Sequence, residues 1–341
     1  MRTTRLGKTG LEVSAVGFGG IPIQRISDDE AATVIHRALQ LGVNFIDTAA
    51  GYGDSQKKIG RAIHDRRDGL VLASKSPAKT RDEMAADIDR SRREMRTDTI
   101  ELYQCHCVGS REAWEKITAP GGAMEALEEA RQNGWVQHIG VTAHSLETAL
   151  ELVGDPRIET LQFPFNLVTS EPADELIPRC RKHQVGFIVM KPLCGGQYDN
   201  ANLAFKFLNA YPDLVPIPGI ETEAEIEEIA ALVAGGQTLT GEEREQAEQI
   251  AADLGKLFCR RCGYCMPCPQ GVPVQLAMIF GSFLKRMPAE RNKTMARDLI
   301  EKIDQCTECR ACEQKCPYDL PILETLAQTR RQAEELIALP G

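Results

Sequence analysis

The chain has 341 residues, of which 26% are charged and 43% hydrophobic, and it carries a formal net charge of −9 at pH 7. This acidic balance argues against a nucleic-acid-binding or anionic-membrane surface, since both need a basic patch. No apolar run approaches the ~20 residues of a membrane span, and the first residues lack the apolar region of a secretory signal. We therefore expect a cytoplasmic protein of about two domains.

Short apolar segments alternate with helical segments through the first part of the chain. Residues 1–14 predict a β-hairpin that turns at residues 7–10. Eight strands are then predicted over residues 15–19, 43–47, 70–75, 100–106, 136–141, 159–163, 186–190 and 214–218. Several intervening helices should begin at capping boxes, in which a Ser or Thr and a later Glu satisfy free backbone N–H groups: Ser27/Glu30, Thr80/Glu83, Thr222/Glu225 and Thr240/Glu243.

Eight strand–helix units of this length predict an α/β fold, a closed (β/α)8 TIM barrel over residues 1–238. An open doubly wound sheet is the alternative, although no G-x-G-x-x-G motif follows an early strand. A linking helix is predicted over residues 239–256. A small helical, cysteine-rich domain should follow over residues 257–325, and an Ala-, Glu- and Leu-rich helix over residues 326–341.

Ionisable side chains stand at the ends of three consecutive predicted strands, at Asp47, Lys75 and His106. Strand ends of this kind meet at one rim of a barrel, where barrel enzymes place their chemistry. Tyr52 lies in the loop over that rim, and a neighbouring ammonium should lower its pKa toward working pH, which suits a general acid. Asp47 would hold Lys75 by ion pairing, and His106 would orient a carbonyl. Each residue alone also has an ordinary structural interpretation.

These residues lie in segments that resemble the aldo-keto reductase family. The resemblance covers roughly residues 1–235 and rests on GKTGLEVSAVGFGG, NFIDTAAGYGDS, LASK, YQCH, KPL and IPG. It implies hydride transfer between a nicotinamide and a carbonyl or alcohol, with Asp47, Tyr52, Lys75 and His106 as the catalytic tetrad. Tyr52 would protonate the nascent alkoxide.

The resemblance also implies a nucleotide site, from whose usual pattern the sequence departs. Gln162 matches a contact to the nicotinamide carboxamide, and Pro192 and Leu193 match backbone contacts to the pyrophosphate, beside Lys191. Met190 replaces a stacking Tyr, and Thr142 and His144 stand where Ser-Asn is common. Gly219 and Glu225 replace cations that hold a 2′-phosphate, whereas Glu228 keeps the acidic residue near the adenine. The cofactor is therefore NADP or NAD, and the sequence leaves the choice open.

Eight of the twelve cysteines form two runs, C-x2-C-x2-C-x2-C-P from Cys259 and C-x2-C-x2-C-x3-C-P from Cys306. The second run is the bacterial ferredoxin pattern, in which the last cysteine ligates the other cluster. We therefore predict two [4Fe–4S] clusters, one held by Cys259, Cys262, Cys265 and Cys316 and the other by Cys306, Cys309, Cys312 and Cys268. Two zinc sites are the alternative, because C-x2-C pairs also suit tetrahedral zinc. The segment resembles bacterial two-cluster ferredoxin domains.

Three hypotheses combine the two halves. In the first, an oxidoreductase acts on a small carbonyl or alcohol, and the clusters pass electrons between a redox partner protein and the barrel. Splitting a hydride into single electrons would then need a mediator such as a flavin, which the sequence does not indicate. In the second, a nicotinamide-dependent carbonyl reductase carries structural clusters. In the third, an electron-transfer or adaptor protein uses the barrel as a scaffold.

Overall fold

The N-terminal hairpin closes the bottom of the barrel. The computed structural model describes residues 1–339, and in it β1 (Thr3–Arg5) pairs antiparallel with β2 (Glu12–Ser14), as predicted. Leu6 at the turn is fully buried among residues that line the inside of the barrel, including Phe45 and Ile188. Gly7 has a φ of 56°, and a Cβ there would lie 2.3 Å from the Gly186 nitrogen, so the approach requires glycine.

Eight parallel strands form the barrel wall. They are β3 (Phe18–Gly19), β4 (Phe45–Asp47), β5 (Val71–Ser76), β6 (Ile100–Cys105), β7 (Val136–Thr142), β8 (Thr160–Pro164), β9 (Gly186–Met190) and β10 (Val215–Pro216), paired in chain order. The Gly17 nitrogen donates to the Pro216 oxygen at 2.9 Å, and the Gly19 nitrogen donates to the Pro218 oxygen at 2.8 Å, which joins β10 back to β3. The predicted barrel is confirmed, and the open-sheet alternative is wrong.

Helices surround the wall and bury their apolar faces against it. They are α1 (Asp28–Gln40), α2 (Ser55–Ala62), α3 (Arg81–Met95), α4 (Arg111–Thr118), α5 (Ala123–Gln132), α6 (Leu146–Leu152), α7 (Leu176–Lys182), α8 (Ala201–Leu208), α9 (Glu223–Gly235) and α10 (Gly241–Gly255). All four predicted capping boxes form, at α1, α3, α9 and α10. Within residues 1–339, no helix is both long and apolar enough to cross a membrane.

The cysteine-rich tail builds a second, smaller core. Its helices are α11 (Val274–Met278), α12 (Phe280–Leu284), α13 (Ala289–Ile303), α14 (Ala311–Gln314) and α15 (Ile322–Ala338). Phe280, Ala296, Leu299 and Ala333 are buried in this core, against which five of the tail cysteines pack. Helix α15 begins four residues before the predicted start of the closing helix, and residues 340 and 341 lie outside the described part of the chain.

The tail lies across the C-terminal mouth of the barrel. Six hydrogen bonds join it to the segments that follow β3, β4, β7, β8 and β9. Four are donated by the tail: Arg291 to the Gly51 oxygen (3.2 Å), Tyr264 to Glu147 at the start of α6 (3.3 Å), Arg260 to the Val168 oxygen (2.9 Å) and Lys285 to the Gly196 oxygen (3.1 Å). Two are accepted by it: Met287 Sδ accepts from Gln24 Nε2 (3.2 Å), and Ser282 accepts from Gln197 (3.1 Å). The loops that barrel enzymes use for chemistry are therefore covered by the second domain.

Candidate active site and cysteine cavities

Asp47 and Lys75 form a buried ion pair at the mouth. The strand register places the ends of β4, β5 and β6 side by side, and Lys75, 1% exposed, donates to Asp47 Oδ1 at 2.5 Å and to the Thr48 oxygen at 2.7 Å. Burial raises the pKa of Asp47. Burial also lowers the pKa of Lys75, but its interactions with Asp47 and Tyr52 outweigh burial, and the net shift is upward. Gln104 on β6, which the sequence analysis did not single out, donates to Asp47 Oδ2 at 3.4 Å.

Tyr52 lies against this pair and beside His106. The Lys75 ammonium is 5.1 Å from the centre of the Tyr52 ring, and the His106 ring is 6.0 Å from it at an interplanar angle of 80°. The expected fall in the pKa of Tyr52 is wrong: burial raises it, and the attraction of Lys75 offsets burial only in part. Tyr52 therefore keeps its phenolic proton at neutral pH and is available as a proton donor.

His106 is held neutral by its surroundings. Burial, together with the positive charges of Lys75 and Arg261, lowers the pKa of His106 to about 3. A neutral imidazole can both donate and accept a hydrogen bond, which fits the expected role of orienting a carbonyl. The structure thus brings all four predicted tetrad residues together at one place.

The predicted nicotinamide contacts lie on the next strands of the same barrel, β7 to β9. Gln162 in the middle of β8 is buried, and its Oε1 accepts no hydrogen bond from any residue in 1–339. An orphaned acceptor of this kind fits the NH2 of a carboxamide. Thr142 instead accepts from the Cys107 backbone N–H at 2.7 Å and so holds the loop after β6. Burial lowers the pKa of His144 well below its usual value, and Met190 is half-buried at the end of β9.

The predicted pyrophosphate contacts follow β9. Lys191 adopts a left-handed backbone conformation, with a φ of 56°, and its oxygen accepts from Asn166 Nδ2 at 2.9 Å. Its ammonium is 6.0 Å from the ring centre of Phe258, a residue of the tail. Burial lowers the pKa of Lys191 to about 7, helped by Arg261 and Arg286. Pro192 is buried and Leu193 half-buried beside it.

The edge that would face a 2′-phosphate is acidic. Gly219 follows β10, and a Cβ there would lie 2.8 Å from Pro22 Cγ, so the position excludes a cationic side chain without rearrangement. The Glu225 carboxylate accepts from the backbone nitrogens of Glu221 (2.8 Å) and Thr222 (3.0 Å) at the start of α9. The nearby Arg25 forms an ion pair with the Glu221 carboxylate at 3.7 Å. Glu228 is exposed on α9.

The eight tail cysteines line two cavities. One is lined by Cys259, Cys262, Cys265 and Cys316; the other by Cys268, Cys306, Cys309 and Cys312, with Cys265 between the two. Left-handed residues turn the chain around each cavity, Arg261 and Gly263 at the first, Glu308 and Arg310 at the second. The placement matches the predicted grouping, and it fits clusters, although ligation itself stays a prediction. Within residues 1–339 no three Cys, His, Asp or Glu side chains converge on a single metal position.

The first cavity adjoins the barrel mouth. Cys259 follows Phe258, which is buried with Val168 and Cys194 of the barrel. Arg260 stacks on Tyr318 at 3.8 Å, and its guanidinium reaches the Val168 oxygen. The second cavity contains none of the tail residues that hydrogen-bond to the barrel, and its Cys309 is exposed.

Comparison with known proteins identifies both parts. Residues 15–206 match the aldo/keto reductase family model. The chain belongs to the aldo/keto reductase family. Residues 256–320 of this family member match the model of the 4Fe-4S dicluster domain.

Curated relatives and solved structures agree with this assignment. An uncharacterized oxidoreductase of Bacillus subtilis, YqkF, is 27% identical over 58% of this chain and 66% of its own length. L-galactose dehydrogenase of Arabidopsis thaliana is 29% identical over 56% of this chain and 65% of its own. This chain thus spans just under two thirds of these relatives.

Among solved structures, the holo form of aldo-keto reductase AKR11C1 from Bacillus halodurans superposes with a TM-score of 0.64 at 22% identity, covering 73% of this chain and 96% of that one. An aldo-keto reductase from Klebsiella pneumoniae in complex with NADPH gives 0.63 at 22% identity, covering 73% and 95%. At this identity the likeness shows the fold.

Proposed function

We propose that the protein is an oxidoreductase that interconverts a small carbonyl compound and its alcohol, with [4Fe–4S] clusters carrying electrons at the mouth of the barrel. The observation that carries the proposal is the position of Tyr52, a protonated phenol set between Lys75 and His106 and backed by the Asp47 ion pair. A scaffold would need none of these ionisable groups.

Each tetrad residue has a role that its surroundings support. The Tyr52 hydroxyl donates its proton to the carbonyl oxygen as that oxygen becomes an alkoxide. The Lys75 ammonium favours the resulting phenolate, and Asp47 keeps Lys75 in place. His106, which is neutral, donates a hydrogen bond to the same oxygen and orients the carbonyl.

Gln162 in β8 and the residues that follow β9 support a nicotinamide dinucleotide as cofactor. Gln162 would hold the carboxamide, Pro192 and Leu193 would contact the pyrophosphate, and a bound nicotinamide would supply or accept the hydride. Since Gly219 and Glu225 place no cation at the 2′-phosphate position, we favour NAD over NADP. The Klebsiella relative, by contrast, was solved with NADPH.

The two cysteine cavities support an electron path from the barrel to the outside of the tail. Bound clusters would supply one-electron carriers, and two of them together would take the two electrons released when an alcohol is oxidised, provided that a mediator such as a bound flavin divides the hydride into single electrons. Phe258 and Cys259 place the first cavity against the barrel mouth, and the exposed Cys309 places the second where a redox partner protein can approach.

Turnover without air tests the carbonyl chemistry. Aldehydes and ketones are mixed with the protein and NADH or NADPH, and nicotinamide oxidation is followed by its absorption. We expect carbonyl-dependent oxidation of at least one nucleotide. If no carbonyl in a broad panel is reduced with either nucleotide, the proposed function is wrong.

The pH dependence of kcat for carbonyl reduction should be nearly flat from about pH 6 to about pH 9. The nucleotide must be saturating, because Lys191, whose pKa is about 7, lies at the predicted pyrophosphate contacts and its titration would change nucleotide binding. Tyr52 must be protonated to donate, and its pKa is raised above its ordinary value of about 10, so the rate falls only as pH rises through that raised pKa. His106 must be neutral, and its pKa of about 3 lies below the range. A kcat that follows an ionisation near pH 6.5 at saturating nucleotide, and that still does so in Lys191→Gln, would contradict this assignment of His106.

A further inference from the structure

The tail brings an arginine to the mouth of the barrel. Arg286 lies between α12 and α13, and its Nε donates to the Ser282 oxygen at 3.0 Å. Its guanidinium packs on Gly195 in the loop after β9, with Nη1 only 3.7 Å from where a Cβ would stand. Neither Nη1 nor Nη2 has a hydrogen-bond partner among residues 1–339, which leaves the bidentate face of the guanidinium free.

The segment that carries Arg286 lies directly over the loop of Tyr52. Arg291 donates to the oxygen of Gly51, the residue before Tyr52. On the other side, Gly53 packs against Gln24, whose amide donates to the sulfur of Met287. The positive charge of Arg286 acts on the Tyr52 hydroxyl and lowers its pKa in part. The arginine and the proposed proton donor therefore face the same space.

This space collects positive charge without acidic partners. Arg261 and Arg286 both lower the pKa of Lys191, and Arg261 also lowers the pKa of Arg286 and of His106. None of the three cations forms an ion pair within residues 1–339. A half-buried guanidinium without a carboxylate is costly unless an anion is bound there, and its planar fork matches a carboxylate bidentately. Arg261 and Lys191 adjoin Cys259 and would offset the charge of a bound cluster, so Arg286 is left for a ligand.

We propose that Arg286 binds a carboxylate of the substrate, so that the preferred substrates are oxo acids and the corresponding hydroxy acids. This inference rests on the proposed function and names its substrate class. In the bound state the substrate carbonyl accepts from Tyr52 and its carboxylate accepts from Arg286. The pyrophosphate of a dinucleotide offers the same anionic oxygens, and the experiment separates the two sources.

The test compares two matched pairs of probes. Reduction of 4-carboxybenzaldehyde is measured against methyl 4-formylbenzoate, and calorimetry measures binding of oxamate against neutral oxamide. In Arg286→Gln we expect kcat/KM for the carboxylate aldehyde, and the affinity for oxamate, to fall roughly 10- to 100-fold, because a charge-assisted bidentate contact is lost. The ester and oxamide should change little. Arg286→Lys keeps the charge but not the fork and should be intermediate.

Controls keep the outcomes distinct. Arg331→Gln removes the same charge from an exposed position on α15 and should change none of these quantities. Unchanged visible absorption and melting temperature show that each variant is folded. Arg286→Gln could instead weaken NADH binding while kcat/KM for both aldehydes and the affinities for oxamate and oxamide stay unchanged. In that case the bound anion is the dinucleotide, and the substrate assignment is overturned. If the wild type reduces both aldehydes equally, the inference fails alone; if it reduces no carbonyl, the proposed function fails.

Discussion

Replacing Tyr52 by phenylalanine is expected to slow carbonyl reduction by about 10²- to 10⁴-fold, the contribution of a positioned general acid. The substitution removes only the hydroxyl, and the ring can keep its position beside Lys75 and His106. The loss should therefore appear in kcat, while the dissociation constants of the nucleotide and the carbonyl change little. Steady-state rates with air excluded, together with nucleotide binding by fluorescence, measure both quantities.

Tyr198→Phe is the matched control. Tyr198 lies in the loop after β9, and its hydroxyl is buried without a hydrogen-bond partner in residues 1–339, so its removal should leave the rate unchanged. A Tyr52→Phe enzyme as fast as the Tyr198→Phe enzyme would remove Tyr52 from the proton transfer.

Two single variants, each with one cavity cysteine replaced by alanine, should strongly change the iron content and the bleaching of the visible absorption. If each cavity holds a [4Fe–4S] cluster, iron falls from about eight to about four atoms per chain in Cys259→Ala and also in Cys309→Ala. The functional results should differ, because only the first cavity adjoins the barrel mouth. In Cys259→Ala, NADH should no longer bleach the visible absorption that dithionite still bleaches. In Cys309→Ala, NADH should bleach the remaining cluster.

Cys180→Ala controls for loss of a thiol elsewhere. Cys180 is buried on α7, outside both cysteine runs, and burial raises its pKa to about 12, so it stays a thiol. Its removal should leave the iron content and the bleaching intact. Full bleaching by NADH in Cys259→Ala would show that electrons do not pass through the first cavity.

The barrel and the tetrad positions could be predicted because they depend on local patterns. Apolar runs bounded by capping boxes mark the strands and helices, and the spacing of Asp47, Lys75 and His106 by one unit each brings their strand ends together. The grouping of the cysteines in two cavities likewise agrees with the ferredoxin spacing.

Properties that depend on burial and on docking between the domains could not be predicted. The pKa of Tyr52 rises although Lys75 is adjacent, because desolvation outweighs the attraction, and no spacing in the sequence reports desolvation. Arg286 lies 234 residues beyond Tyr52 in a segment with no motif, and only the docking of the tail brings the two together. Gln104 could have been predicted. Because side chains alternate along a strand, Gln104 lies on the same face as His106, and Tyr103 and Cys105 lie on the other face.

The tail both covers the candidate active site and carries the cysteine cavities. Contacts after β3, β4, β7, β8 and β9 make the cysteine-rich domain the cover of the candidate active site. The same domain places Arg286 near Tyr52 and Cys259 near Lys191. Substrate binding and electron exchange would then share one interface.

The central claim, that the barrel and the clusters exchange electrons, is tested most directly by titrating the protein with NADH in the absence of air. Nucleotide binding is followed by fluorescence and the clusters by their visible absorption, with NADPH in a parallel titration. The account predicts that the purified protein retains a mediator such as a flavin, visible in its starting spectrum, and that the cluster absorption bleaches as NADH binds, at lower concentrations than for NADPH. Saturating binding of NADH with the cluster absorption unchanged, while dithionite bleaches it, would contradict the claim and leave a carbonyl reductase with structural clusters.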